Sequence, residues 1–387
     1  MSTLPASSGP LSGLRIVEFA GVGPGPFCAM LLADMGAEVL TIDRVTPHGL
    51  GIPKEPRFNP TFRSRASIRV DLKTPQGRDV ALELVARADA VLEGNRPGVM
   101  ERLGLGPDAC LARNPALVYG RMTGWGQTGP LAQQVGHDLN YLALSGALSL
   151  LGPQDRPPPV PLNLLADLGG GGLYLALGVL AALHEARDSG RGQIVDAAML
   201  DGIGSLMTHQ FGYFGAGTWV NQRESNFLDG GAPWYNTYET ADGQYVAVGA
   251  IEPKFYQELV RGMGLDPDNL PAQMDRQAWP AVREKFTAIF KGAIRAEWES
   301  RMQGRDACFS PVLTPAEATD HPHMRARGAY VEIEGVTHPA PAPRFSRTPA
   351  AISAPPPIPG QHTTQALLNW GFSAETIGKL RDEDVVS

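Results

Sequence analysis

Apolar positions along the first two hundred residues alternate between strand spacing and helix spacing. Leu14 to Ala20 is a short apolar, β-branched run, Phe27 to Met35 has helical periodicity, and Glu38 to Ile42 is strand-like again. Val80, Leu84 and Val85 mark a helix near 76–88, followed by a short strand at Ala90 to Leu92. A helix near 107–113 precedes a strand at Leu117 to Tyr119. Alternation of this kind predicts a doubly wound, mostly parallel α/β sheet of Rossmann-like type.

Leu173, Leu177, Leu180 and Leu183, with Ala176 and Val179, recur every three or four residues and predict a helix over 173–187. Arg187 in its last turn and Gly190 just beyond are favourable to the negative helix end and to a left-handed cap. Strand spacing returns at Gln193 to Val195, and Met199 to Phe214 has helical spacing. From about 226 the pattern changes to turn-rich, antiparallel structure: Tyr238 to Thr240, a turn at Asp242 and Gly243, and the alternating run Tyr245 to Val248. Helices near 254–263 and 279–292 accompany it. Residues 339–360 are rich in proline and alanine and read as extended chain before a last helix near 363–370. The expected organisation is a large α/β domain over 1–200, a linker helix region at 201–225, a smaller α+β domain at 226–335, and a C-terminal segment, 336–387, returning to the large domain.

A chain of 387 residues exceeds the size at which a single core stops growing, which agrees with two domains. The net charge of −7 and the lack of a basic run argue against a nucleic-acid partner. Cys28, Cys110 and Cys308 are odd in number and widely spaced, fitting neither a disulfide framework nor a zinc cluster, so a reducing, cytoplasmic setting is expected. Met1 to Leu11 carries no basic region followed by an apolar stretch. The longest uncharged runs, near 139–154 and 168–183, are short of a membrane span, so no membrane partner is expected.

The candidate chemistry centres on Asp167, which precedes Leu168 and four consecutive glycines, Gly169 to Gly172. An isolated carboxylate beside bare N–H groups at a helix start reads either as a cap or as an anionic reaction centre that a thioester or phosphate could approach. The loop Gly21-Val22-Gly23-Pro24-Gly25-Pro26 lies between a strand and a helix, with Asp43 ending the next strand, and is similar to a dinucleotide fingerprint. Pro26 at the third glycine position and the missing N–H donors of two prolines count against a nicotinamide nucleotide, while Arg44 directly after Asp43 suits a phosphorylated nucleotide better than a free ribose, so a nucleotide-shaped ligand stays open. A second glycine pattern at Gly124, Gly126 and Gly129 is followed by Pro130 rather than an apolar helix and reads as a turn-rich loop. His137, between Gly136 and Asp138, can exchange a proton near neutral pH, and Glu252 ends a strand of the smaller domain.

These segments together resemble the class III coenzyme A transferase family over nearly the whole chain. The matching blocks are Gly13-Leu14-Arg15-Ile16-Val17-Glu18, Ala33-Asp34-Met35-Gly36-Ala37-Glu38-Val39, Asn95-Arg96-Pro97-Gly98, Gly190-Arg191-Gly192-Gln193-Ile194-Val195-Asp196 and Pro359-Gly360-Gln361-His362-Thr363. Within it, three blocks are most similar to the α-methylacyl-CoA racemases: Met122 to Gln127 leading into Gly136-His137-Asp138-Leu139-Asn140-Tyr141; Asn163-Leu164-Leu165-Ala166-Asp167; and Gly230 to Pro233 leading to Gly249-Ala250-Ile251-Glu252-Pro253. The resemblance implies His137 and Asp167 as the two acid/base residues, with Glu252 paired to His137. It implies acyl-CoA contacts around Arg44, Arg96, Arg102, Gly124, Gly126, Asp138, Tyr141 and Asn163. Stretch 45–70 matches the family poorly. An interlocked homodimer is implied as well, and no cofactor other than the coenzyme A carried by the substrate.

Inverting a stereocentre α to a thioester needs a base on one face and an acid on the other, which two residues can supply without a metal. The enolate between the two proton transfers needs donors at its oxygen; backbone near Gly169 and Gly170, or at 124–126, is the expected source. The main rival is a coenzyme A transferase in which Asp167 attacks the acyl group and carries it as a mixed anhydride, a role with no evident use for His137. A non-catalytic binder of coenzyme A or a nucleotide would explain Arg44 and the first βαβ unit, but not the three candidate acid/base residues together.

Overall fold

Six strands pair into one parallel sheet in the computed structural model, which describes residues 4, 5, 8–46, 49 and 51–387. The stretches Met1 to Leu11 and 45–70 therefore fall partly outside the described residues. By its internal packing the chain groups into two units. One comprises Met1–Ser145, Pro161–Leu206 and Arg325–Ser387, the other Gly146–Val160 and Met207–Met324.

The first unit is built on β1 (Arg15–Phe19), α1 (Pro24–Asp34), β2 (Glu38–Asp43), β3 (Ala66–Arg69), α2 (Pro75–Val85), β4 (Ala90–Glu93), α3 (Val99–Arg102), α4 (Pro107–Arg113), β5 (Val118–Thr123), α5 (Asp138–Ser145), α6 (Tyr174–Ser189), β6 (Ile194–Ala198) and α7 (Met199–Leu206). Strand order is β3-β2-β1-β4-β5-β6, all pairs parallel, so the winding reverses between β1 and β4. In doubly wound sheets that reversal opens a crevice at the carboxyl ends of the strands. Val17, Leu40, Ile42, Ile68, Val91 and Tyr119 are buried in one core, which is why most of these strands read as near-continuous apolar runs. β3 was not expected: its Ala-Ser-Ile-Arg sequence is too short and too polar to register as a strand until β2 pairs with it.

The largest departure from the sequence reading is at the four glycines. Helix does not begin at 173; a wide, π-helical stretch, Leu164–Leu173, runs directly into α6. The Leu168 N–H reaches back five residues to the Asn163 carbonyl at 3.3 Å. Gly170, Gly171 and Gly172 are buried inside this helix, not bare donors ahead of it. They are needed for close approach: a methyl group on Gly171 would lie 2.9 Å from Met199 and 3.0 Å from Pro24, and one on Gly172 2.7 Å from Phe27. The far end agrees with expectation, with Gly190 at φ 70° as the left-handed cap and Arg187 in the last turn. Starting earlier, the helix reaches 26 residues, Leu164–Ser189, long and apolar enough by composition alone to cross a membrane. In the fold Leu175, Ala176 and Val179 are buried, and α6 packs on β5 and β6.

Gly202 on α7 completes this contact, since a methyl group there would sit 1.9 Å from the Gly170 carbonyl oxygen. Gly202→Ala is expected to destabilise the protein by about 1–3 kcal/mol through overpacking. Gly204→Ala on the same helix meets nothing within 4 Å and should be neutral or stabilising. Urea midpoints of the two variants, compared with the parent, check the difference.

The second unit has α8 (Thr208–Gly215), β7 (Tyr235–Glu239), β8 (Tyr245–Gly249), α9 (Pro253–Gly262), α10 (Trp279–Phe290), α11 (Arg295–Met302), β9 (Phe309–Pro311) and α12 (Pro315–Asp320). β7 and β8 are antiparallel about the Asp242–Gly243 turn, and β9 adds to β8. Trp234, Tyr238, Phe286, Phe290 and Trp298 fill its core. The expected single helix over 199–214 is two, α7 and α8, broken at Met207. A short α13 (Pro322–Ala326) leads to the hairpin β10 (Tyr330–Ile333) and β11 (Val336–Pro339), and the chain ends in α14 (Thr363–Asn369) and α15 (Ala374–Asp382). The hairpin and α15 lie where no element was expected.

Candidate active site

Asp167 stands in the first turn of the wide helix, half-buried. Its Oδ2 accepts a hydrogen bond from Asn163 Nδ2 at 3.2 Å. The β1–α1 loop lies against the same carboxylate: Gly23, at φ 71°, leaves room where a Cβ would stand 3.5 Å from Oδ2. The glycine pattern that is similar to a nucleotide fingerprint thus lies against a carboxylate, where a phosphate would be repelled.

His137 precedes α5, exposed, at the end of the loop that follows β5. Its carbonyl accepts the N–H of Asn140 at 2.8 Å, and its own N–H donates to Asn140 Oδ1 at 2.9 Å. This reciprocal pair fixes the backbone at His137 and leaves the imidazole free to face solvent or a ligand. Asp138, next in sequence, turns inward and is 7% exposed. Its Oδ2 accepts the N–H groups of both Ala166 and Asp167 at 3.0 Å. Two donors in the first turn of the wide helix, the Ala166 and Asp167 N–H groups, are therefore occupied by a carboxylate of the protein.

Burial holds the Asp167 carboxyl above its ordinary range, and the negative charge of Asp138 pushes the same way, while the Asn163 hydrogen bond and His137 oppose them. Burial also raises Tyr141, joined by the charge of Asp167 and opposed by Arg96. Asn163, bonded to the Asp167 carboxylate, and Asp138, bonded to the Ala166 and Asp167 N–H groups, thus bring the segment that carries His137 and Tyr141 against Asp167 in a single cluster, with Arg96 near enough to act on Tyr141. It is assembled from the segments after β4 and β5 and the first turn of the wide helix.

The Tyr141 ring is wedged into this loop region. A methyl group on Gly124 would lie 2.0 Å from it, the ring meets Trp125 edge-on with centroids 4.6 Å apart, and its hydroxyl donates to the Gly136 carbonyl. Gly124 serves this packing. Gly126, at φ 89°, is a turn glycine whose N–H already donates to Thr123 Oγ1 at 3.1 Å. Gly169 and Gly170 lie within the helix, and a methyl group on Gly170 would meet the Ile203 N–H at 3.0 Å. Neither is a free donor for an oxyanion, which corrects the expectation from sequence.

Arg44, Arg96 and Arg102 are all exposed, on segments that follow the carboxyl ends of β2 and β4, the ligand side of such a sheet. Arg102 folds over Gly98, whose Cβ position would be 3.1 Å from its guanidinium. The turn carrying Arg96 is held from below: the Asn95 N–H donates to Glu93 at 2.6 Å, and Arg121 bridges Glu93 and Glu101 at 3.0 and 2.8 Å. Glu252 belongs to the second unit, exposed at the start of α9, where its carbonyl accepts the N–H groups of Phe255 and Tyr256.

Sequence reading missed Gly23 and Asn140 as parts of the site. Their residue types were visible as a turn glycine and a helix-start amide, but their partners were not.

Compared with known proteins, residues 11–363 match CoA-transferase family III. The chain is similar to an alpha-methylacyl-CoA racemase of Mus musculus, 47% identical over 378 residues and covering 97% of each chain. It is similar to the alpha-methylacyl-CoA racemase of Homo sapiens at 43% over 380 residues, again 97% of both. Among solved structures, a CaiB/BaiF family protein from Brucella suis superposes with a TM-score of 0.81 at 25% identity, covering 94% of this chain and all of that one.

Proposed function

This chain belongs to CoA-transferase family III, and on that premise we propose that it is an isomerase interconverting the (2R) and (2S) epimers of 2-methylacyl-CoA thioesters. The observation that carries the reading is geometric: Asp138, the residue after His137, accepts the Asp167 N–H at 3.0 Å, which brings the segment bearing the imidazole to the turn bearing the carboxylate. Two proton-transfer groups suit a reaction that removes a proton from one face of a carbon and returns one to the opposite face.

In one direction the Asp167 carboxylate takes the α-proton. The C–H electron pair becomes the C=C bond of an enolate, the thioester carbonyl electrons move to oxygen, and protonated His137 delivers its proton to the other face. The reverse direction exchanges the roles. Enolate oxygen needs preorganised donors. With Gly126 committed and the Asn140 N–H donating to the His137 carbonyl, the N–H groups of Asp138 and Leu139 at the start of α5, beside His137, are best suited, since the first N–H groups of an α-helix lack an intrahelical acceptor. The exposed arginines Arg44, Arg96 and Arg102 offer positive charge for the phosphates of coenzyme A, and the reading pairs a Glu252 carboxylate, of the same chain or of a second copy, with His137.

A homodimer is part of the reading. Leu173 and Leu177 on the wide helix and α6 are 51% and 64% exposed, and Leu164, Leu144 and Leu206 add to the apolar surface of this unit. Such surface is normally covered by a partner, here a second copy. The reducing, cytoplasmic setting rests on the three free cysteines.

The test is incubation of a single epimer of a 2-methylacyl-CoA in deuterated water. Deuterium at the α-carbon with loss of configuration is expected. Transfer of coenzyme A to a free carboxylic acid without α-exchange would instead assign Asp167 as an acyl-carrying nucleophile.

A further inference from the structure

Asp138 and His137 are neighbours in sequence, yet their side chains part, one outward and exposed, the other inward and buried. The buried carboxylate spans from α5 to the wide helix through two hydrogen bonds to consecutive N–H groups, and the second of these belongs to Asp167 itself. Hydrogen bonds to an ionised carboxylate are about twice as strong as neutral ones. They satisfy two donors of a helix start that carries no side-chain cap from Asn163. Resting on the racemase reading, we propose that Asp138 is a positioning residue for the reaction rather than a substrate contact: a strut that sets the spacing of the elements carrying His137 and Asp167 and lays its negative charge against the turn from which Asp167 projects.

Two separable effects follow. The strut is geometric, and an amide oxygen in place of Oδ2 could still accept both N–H groups. The tuning is electrostatic and needs the negative charge. Groups acting on Asp167 are Asp138 and His137 from α5 and its preceding loop and Asn163 from the start of its own helix. Tyr141 lies close enough to feel the Asp167 charge, with Arg96 acting on Tyr141 in turn. Of these, Asp138 is the one whose charge raises the Asp167 carboxyl, beyond the larger effect of burial. Activity that requires the Asp167 carboxylate is lost as pH falls through that raised value, so removing the Asp138 charge moves the acid limb to lower pH.

The experiment measures α-deuterium exchange of a 2-methylacyl-CoA across pH for the unaltered protein, Asp138→Asn and Asp138→Ala, with the melting temperature of each. Asp138→Asn is expected to keep kcat on the pH plateau within a few-fold while its acid limb moves down. Asp138→Ala should lose roughly 10- to 100-fold in plateau kcat, because misplacement by about 1 Å costs that order of rate, with KM little changed. An Asp138→Asn acid limb that stays where the unaltered protein has it overturns the inference, as does an Asp138→Ala plateau kcat equal to that of the parent. Loss of Asp138→Ala to misfolding leaves the Asp138→Asn profile to decide. Failure of the unaltered protein to exchange at all would bring down the racemase reading itself, a result distinct from either.

Discussion

Asp167→Asn and His137→Ala are each expected to abolish racemisation, lowering its rate by roughly 10²–10⁴-fold, the usual contribution of one positioned acid/base group. An asparagine amide keeps the shape of Asp167 and its place beside Asn163 and Gly23, so the loss reports on the proton and not on packing. The two variants should differ in a way that identifies the two faces. Each retains one base and can still remove and return a proton on that side. Asp167→Asn should therefore wash deuterium into one epimer without inverting it, and His137→Ala into the other. Proton NMR of the α-position with chiral analysis of the released acid separates exchange from inversion. Full racemisation by His137→Ala would remove His137 from the mechanism, and exchange of both epimers by either variant would exclude a two-base reaction.

Arg65→Met is expected to destabilise the first unit by about 3–5 kcal/mol, the cost of leaving a buried charge without its partner. Arg65 and Glu18 are both almost wholly buried and form an ion pair through Nη1 and Oε2. Thr41 Oγ1 donates to the same oxygen at 2.6 Å, Arg65 Nη2 reaches the Pro26 carbonyl at 2.9 Å, and the guanidinium lies over the Phe62 ring at 4.7 Å. The pair thereby ties β1, β2 and β3 to the beginning of α1, the segment that follows Gly23. Removing Arg65 alone strands the Glu18 carboxylate in an apolar core. Replacing both, Arg65→Met with Glu18→Gln, should recover most of the loss, because the desolvation of two charges roughly offsets their attraction. Urea unfolding of the parent, the single and the double variant checks this. A single variant within about 1 kcal/mol of the parent would show that the pair contributes little.

Local periodicity made the parallel strands β1, β2, β4 and β5 visible, because strands buried within the sheet carry unbroken apolar runs, while the exposed edge strand β6 was visible only through Ile194 and Val195. β3 and the β10–β11 hairpin were not visible, since four-residue strands of mixed polarity have no period long enough to detect. Helix ends marked by a glycine or a charge, such as Gly190 with Arg187, were legible for the same local reason. The start of the Asp167 helix was not, because glycine disfavours helix and four in sequence placed the expected start after them, at 173. They are helical here because α1 and α7 press against them and exclude any larger side chain.

At the site, His137 and Asp167 could be named from residue type and order, and the family resemblance from ordered blocks of sequence. Asp138 could be named but not understood, because whether a carboxylate meets substrate or a backbone N–H depends on what stands opposite it. Likewise the glycines at 169 and 170 promised donors that the helix had already used.

The sequence by itself determined the alternation of strands and helices, the family and the residue types able to move a proton, since these depend on spacing within a few turns of chain. Only the tertiary structure decided that Asp138, next to residue 137, is hydrogen-bonded to the backbone of residue 167, and that Gly23 lies against the carboxylate. Hydrogen bonds and charge interactions depend on distance in space, and thirty residues of chain can close to a few ångströms or extend across the whole unit.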